Sequence, residues 1–205
     1  MQRYVDWVNG LTTPEDVFRE RFIESPVVQP TVIMAKETFL EAGGYHDDGY
    51  AEDYHLWLRL AGTGMRYRKV SEKLYQWHDR AGRLTRTHER YDQKKMIHLK
   101  ALALATEPRV RKYGVVISGA GPIGRALCRE LIVLEVEVHG FFEVSPKRVG
   151  SVCQGKPIAG IGEFGTRWRE AVLLSAVGVA GAREGVRAIA VAADYREGFD
   201  FFCCC

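Results

Sequence analysis

Val17, Phe18, Phe22 and Ile23 recur at helical spacing among charged residues, which predicts a helix over residues 14–24 with Thr13 as N-cap and Pro14 in its first turn. Val27, Val28, Val32, Ile33 and Met34 form a Pro-bracketed apolar run that reads as a buried strand. Residues 36–42 read as a short helix stopped at Gly43. A second Gly follows, and an amphipathic helix begins at Glu52, carries Leu56, Trp57, Leu58 and Leu60, and ends at Gly62 and Gly64. Alternation then predicts a strand over residues 65–70, with Met65, Tyr67 and Lys69 facing away from Arg66, Arg68 and Val70, and another over residues 73–77. Apolar positions from Tyr91 to Leu104 predict one long helix over residues 87–106, closed by Glu107-Pro108, where a domain boundary is expected.

Beyond Lys112 the texture changes. A β-branched run ends at Ser118 and is followed by Gly119-Ala120-Gly121-Pro122-Ile123-Gly124, a helix over residues 125–134, and a strand over residues 136–142 ending in Glu143. This is a βαβ unit with G-x-G-x-x-G in its first turn. Gly119 permits the tight turn, Gly121 lets backbone approach a pyrophosphate, and Gly124 lets helix and strand pack closely. Glu143 stands where an acid accepts hydrogen bonds from a ribose. The loop is either a nucleotide or dinucleotide cradle or a bare structural turn. His139, inside the second strand, reads as a packed side chain.

Composition narrows the classes. A 205-residue chain with 46% hydrophobic residues can bury one or two cores, and a net charge of +3 with dispersed Lys and Arg gives no nucleic-acid surface. The longest apolar stretch, residues 171–182, is too short to span a bilayer, and residues 1–7 lack a signal-peptide core, so a cytoplasmic protein without a transmembrane segment is expected. Cys128 and Cys153 read as small buried apolar residues, and Cys203-Cys204-Cys205 as a chance tail, with a soft-metal or lipid site as the alternative.

The words Ser25-Pro26, Gln29-Pro30-Thr31, Gly43-Gly44-Tyr45, Glu52-Asp53 with Leu56-Trp57-Leu58-Arg59, and Trp77-His78 with Arg83-Leu84-Thr85-Arg86 come in an order that resembles the acceptor-side, C-terminal half of inverting family 2 glycosyltransferases of the GT-A fold. The resemblance covers about residues 1–92. It implies that Asp53, kept ionised by the helix dipole, is the base for an acceptor hydroxyl, with Glu52 as its neighbour. It also implies that Gly43, Gly44 and Tyr45 shape an acceptor loop. Trp77 either stacks on a sugar or is buried in a strand. His78 is a candidate ligand for a divalent metal, Mn²⁺ or Mg²⁺, and Arg80, Arg83 and Arg86 are candidates to neutralise a departing diphosphate. No Asp-x-Asp, the family's metal-chelating motif, occurs in the chain, so a partial domain that transfers no sugar by itself and self-associates through an incomplete sheet is expected.

Residues 112–205, with Glu143-x-x-Pro146, Gly150, Gly155-Lys156-Pro157-Ile158 and Glu163, are loosely similar to small Rossmann-like domains of sugar acyltransferases and redox-sensing repressors. The expected fold is therefore α/β: a partial GT-A domain over residues 1–108 followed by a Rossmann-like parallel-sheet domain over residues 112–205. The leading expectation is a family 2-like glycosyltransferase using a nucleotide sugar and a glycan or lipid-linked acceptor. The rivals are a non-catalytic nucleotide- or sugar-nucleotide-binding protein and an NAD(P)-dependent oxidoreductase.

Overall fold

A computed structural model describes residues 2–179 and 181–205. The chain forms two compact units, Met1–Leu99 and Lys100–Cys205. Helices α1 (Gln2–Gly10), α2 (Pro14–Glu20), α3 (Lys36–Glu41), α4 (Glu52–Gly62) and the short α5 (Leu84–Thr87) lie in the first unit, and α6 (Gln93–Thr106) runs from the first into the second. The second unit continues with α7 (Pro108–Tyr113), β1 (Val115–Ser118), α8 (Pro122–Val133), β2 (Val138–Glu143), β3 (Val152–Cys153), β4 (Lys156–Gly160), β5 (Val172–Ser175), α9 (Ala182–Ala192) and β6 (Phe201–Cys203). The fold class is α/β, as expected.

In the first unit the helices predicted around residues 14–24, 36–42 and from Glu52 form, but the predicted strands do not. Thr13 closes a capping box with Asp16, Pro14 sits in the first turn of α2, and that helix ends at Glu20. The apolar run after Pro26 makes a 3-10 turn at Gln29–Thr31, where Pro30 supplies no ladder donor and the Thr31 hydroxyl bonds back to the Val28 carbonyl at 2.7 Å. Its alternation survives without pairing. Val32 and Met34 pack against the Leu56–Trp57–Leu60 cluster of α4, and Ile33 between them is 99% exposed. Residues 65–70 repeat the pattern: Met65 and Tyr67 pack on the same cluster, Lys69 donates to the Val8 carbonyl, and Arg66 pairs with Glu15. Residues 73–77 are also irregular, with Leu74 and Tyr75 exposed. Alternation fixes which side chains turn inward, but a strand also needs a neighbour, and no strand forms in this unit among the described residues. The long helix expected over residues 87–106 is interrupted as well. His88 is extended and caps a 3-10 turn at Glu89–Tyr91, and Asp92 is extended before α6 starts.

The second unit holds a six-stranded sheet in the order β3-β4-β2-β1-β5-β6, parallel except for the β3–β4 pair. Gln154 and Gly155, at φ +52° and +72°, make the two-residue turn between those two strands, a backbone that matches strand twist. Central strands β1 and β5 are buried at every position, as parallel strands covered on both faces must be. The order is consistent with a Rossmann-like α/β class. The terminal cysteines correct the sequence reading. Cys203 closes β6 beside β5, and Cys203 and Cys204 are buried, so the triplet is packed into the second unit. Cys128 and Cys153 are buried as expected, and burial pushes the Cys128 thiol up to about 11. His139 Nε2 lies 2.9 Å from the Tyr113 carbonyl, a packed strand residue.

Candidate functional site

The sequence singles out two places, one in each unit. In the second, Gly119 follows β1, whose neighbours β2 and β5 lie on opposite sides, so the glycine loop sits at the point where the sheet order turns. Gly119 adopts φ +98° and donates its N–H to the Phe142 carbonyl at 2.9 Å. Gly124, in the first turn of α8, leaves no space for a Cβ, which would collide with the Gly119 carbonyl oxygen. Gly121 differs: it is the N-cap of α8 at φ −72°, and a Cβ there would meet nothing within 4 Å. The three glycines thus turn the chain, leave open space and seal the helix against the loop. The positive end of the 12-residue α8 opens there.

Glu143 ends β2, but its carboxylate is engaged. Oε1 accepts from the Val144 N–H at 3.0 Å, and Oε2 pairs with Arg148 Nη1 at 3.1 Å. Arg148 Nη2 also donates to the Ala120 carbonyl at 2.6 Å, which ties the acid to the glycine loop. The sequence reading missed Arg148, although its place in the run after Glu143 was visible.

In the first unit, Gly43 and Gly44 adopt φ +81° and +65° and end α3 in a left-handed turn. Arg59 of α4 fastens that turn: Nη1 donates to the Ala42 carbonyl, and Nη2 to the Gly44 carbonyl at 2.5 Å. Tyr45 packs edge-on against Phe39 with ring centres 5.2 Å apart, and its hydroxyl accepts from Gln29 at 3.3 Å. A groove of about 420 Å³ runs beside it, lined by Gln29, Met34, Phe39, Tyr45 and Trp57 among others.

Glu52 and Asp53 open α4 without a side-chain cap. Glu52 Oε2 pairs with Arg90 Nη1 at 2.8 Å, and Arg90 reaches Asp47 at 3.4 Å. Asp53 Oδ1 accepts from the Tyr54 N–H at 2.7 Å. Burial, helped by the charge of Glu52, raises the Asp53 carboxyl above its ordinary value, against the lowering by that hydrogen bond. The direction is opposite to the one expected from the helix dipole alone.

The arginine loop and the Glu-Asp pair share two tyrosines, because the charges of Asp53 and Arg83 both act on the hydroxyls of Tyr4 and Tyr91. Trp77 lies between Tyr4, whose ring is 6.1 Å away edge-on, and the Arg83 guanidinium, 4.2 Å from its ring centre. Arg83 and Arg86 both reach Asp79, at 3.2 Å and 2.6 Å, and the Arg80 carbonyl accepts from Arg86 at 3.3 Å. Arg83 and Arg86 are thus paired with an acid of their own loop. His78 is exposed in it and belongs to no group of three ligating side chains among the described residues.

A different group does assemble: His46 and Asp48 from the loop after Tyr45, and His55 from the first turn of α4. Burial holds the His55 imidazole below its ordinary value, although Asp48 pulls the other way. The spacing His46-x-Asp48 and then His55 was readable in the sequence, but nothing there showed that Gly49, at φ +81°, lets the loop turn toward α4. No family model matches this chain, and no curated protein matches it.

Proposed function

We propose that the chain is a nucleotide- or sugar-nucleotide-binding protein whose second unit receives the phosphates of its ligand at the Gly119–Gly124 loop. One observation carries this reading: Gly124 is pressed onto the Gly119 carbonyl while Gly121, between them, faces open space at the start of α8. The first feature fixes the loop against the helix, and the second leaves room for a phosphate at the helix start. Arg148 adds a cation next to the loop. Calorimetric titration of the full chain with ATP, UDP-glucose, NAD⁺ and NADP⁺ tests the reading. At least one should bind, and Gly121→Val should weaken it more than tenfold with the unfolding midpoint little changed. No binding by any of the four, or equal binding by the variant, overturns it.

A second reading, the acceptor side of a family 2-like glycosyltransferase, is favoured by Asp53. A carboxyl raised by burial is a better acceptor for a hydroxyl proton than an ordinary aspartate, and it follows in sequence the turn whose Tyr45 lines the groove. The same shift has a stability consequence. A carboxyl whose folded pKa lies above its unfolded value holds its proton more tightly when folded, so its stabilising effect is complete below the ordinary 3.8 and is lost as pH rises through the folded value. Asp53→Asn keeps the acceptor oxygen and removes the charge. It should unfold at higher denaturant than the parent at neutral pH, with the gain shrinking in acid. A variant less stable than the parent at neutral pH would show that the ionised carboxylate is a structural partner and not a strained base.

A further inference from the structure

We propose that His46, Asp48 and His55 form a binding site for a first-row divalent cation, Zn²⁺ foremost, that ties the loop after the Gly-Gly turn to α4. The two Nδ1 atoms converge on one carboxylate oxygen: His55 Nδ1 lies 3.0 Å, and His46 Nδ1 3.9 Å, from Asp48 Oδ2. All three candidate ligand atoms lie within 4.8 Å of one another, so a single ion can reach them with small side-chain adjustments. The imidazoles stand nearly perpendicular, at 89° with centres 5.2 Å apart.

The second observation concerns His55. Its Nδ1 is buried, and Asp48 Oδ2, 3.0 Å away, satisfies it poorly. Leaving a buried polar atom unmatched costs about 1–3 kcal/mol, and a cation in the lone-pair direction removes that cost while it bonds the nearby carboxylate. Tyr50 backs the ring edge-on, with centres 6.3 Å apart, and helps to hold its orientation. Two imidazoles and one carboxylate suit a borderline cation such as Zn²⁺ and not Mg²⁺, which prefers oxygen ligands; water completes the coordination. This differs from the divalent metal of the glycosyltransferase resemblance in ligands and in place.

Arg59 sets a limit on affinity. Its Nη1 lies 3.1 Å from His46 Nε2, and a guanidinium can only donate, so in the metal-free protein that nitrogen carries the lone pair and the proton sits on Nδ1. Metal binding moves the proton to Nε2 and breaks this one contact. Arg59 keeps its bonds to the Ala42 and Gly44 carbonyls.

Titration of the full chain with Zn²⁺, and with Co²⁺ followed by its visible absorption, tests the site. One Zn²⁺ per chain should raise the unfolding temperature. His46→Gln, Asp48→Asn and His55→Gln should each weaken binding at least tenfold, whereas His78→Gln should not change it. In the unaltered protein, long-range ¹H–¹⁵N spectra of the imidazoles should show the nitrogens of His46 and His55 shifting on Zn²⁺ addition, a readout that needs no variant to fold. No uptake, uptake by cysteine thiols with those two rings unmoved, or unchanged affinity in folded variants overturns the proposal.

Discussion

Gly124→Ala is expected to destabilise the second unit by about 3 kcal/mol, the upper part of the usual range for forcing atoms into a packed site. The new Cβ would fall on the Gly119 carbonyl oxygen, which is backbone and cannot rotate away. Gly119 cannot retreat either: it is fixed at φ +98°, and its own Cβ position lies 3.0 Å from Val177 Cγ2 and 3.3 Å from the Ala176 carbonyl oxygen. Alanine gains about 1 kcal/mol of helix propensity over glycine, which offsets only part of the collision. Gly185→Ala in α9 isolates that gain, because nothing lies within 4 Å of its Cβ position, and it should stabilise the chain by about 1 kcal/mol. Urea unfolding of both variants decides the matter. A Gly124→Ala protein as stable as its parent would mean that helix and loop are not sealed together, and the phosphate-cradle geometry would go with it.

The sequence made this loop legible because its information is local. The G-x-G-x-x-G spacing, a β-branched run before it and helical periodicity after it all lie within about twenty residues, and each follows from backbone sterics. The same holds for Thr13-Pro14 at the start of α2 and for the Gly43-Gly44 stop after α3. What failed was non-local. Residues 27–34 and 65–70 have the alternation of strands and use it to place Val32, Met34, Met65 and Tyr67 on α4, but alternation cannot state whether another strand lies alongside. The terminal strand was lost for the complementary reason: Phe201-Phe202-Cys203 is too short to signal a strand alone and becomes one because β5 pairs with it. At the candidate sites, residue identity was visible and partnership was not. Arg59, Arg90 and Arg148 look like dispersed surface charge in the sequence, yet they hold the Gly-Gly turn, Glu52 and the glycine loop respectively.

Trp57→Ala is expected to cost the first unit about 3–5 kcal/mol, the range for truncating a large buried aromatic side chain. With no strand pairing in this unit among the described residues, side-chain packing on α4 carries much of what a sheet would otherwise supply. Trp57 is 2% exposed, and it shares its cluster with Leu56 and Leu60 and receives Phe39 from α3 and Val32, Met34 and Tyr67 from chain that has little regular structure of its own. The Tyr67 ring meets the indole edge-on at 6.3 Å, and its hydroxyl bonds the Trp57 carbonyl at 3.2 Å. Removing the indole therefore unfastens the segments on either side of α4 together. Trp57→Phe separates packing from polarity. The indole Nε1 is buried without an acceptor among the described residues, so phenylalanine keeps most of the apolar area and discards an unmatched donor. It should cost less than about 1.5 kcal/mol. Hydrogen exchange followed by mass spectrometry locates the effect: in the alanine variant, protection should fall in α2, α3 and α4, and in the phenylalanine variant it should stay close to the parent. Equal losses for the two substitutions would mean that the indole N–H has a partner worth more than the packing, and that the groove beside Tyr45 is built on a hydrogen bond.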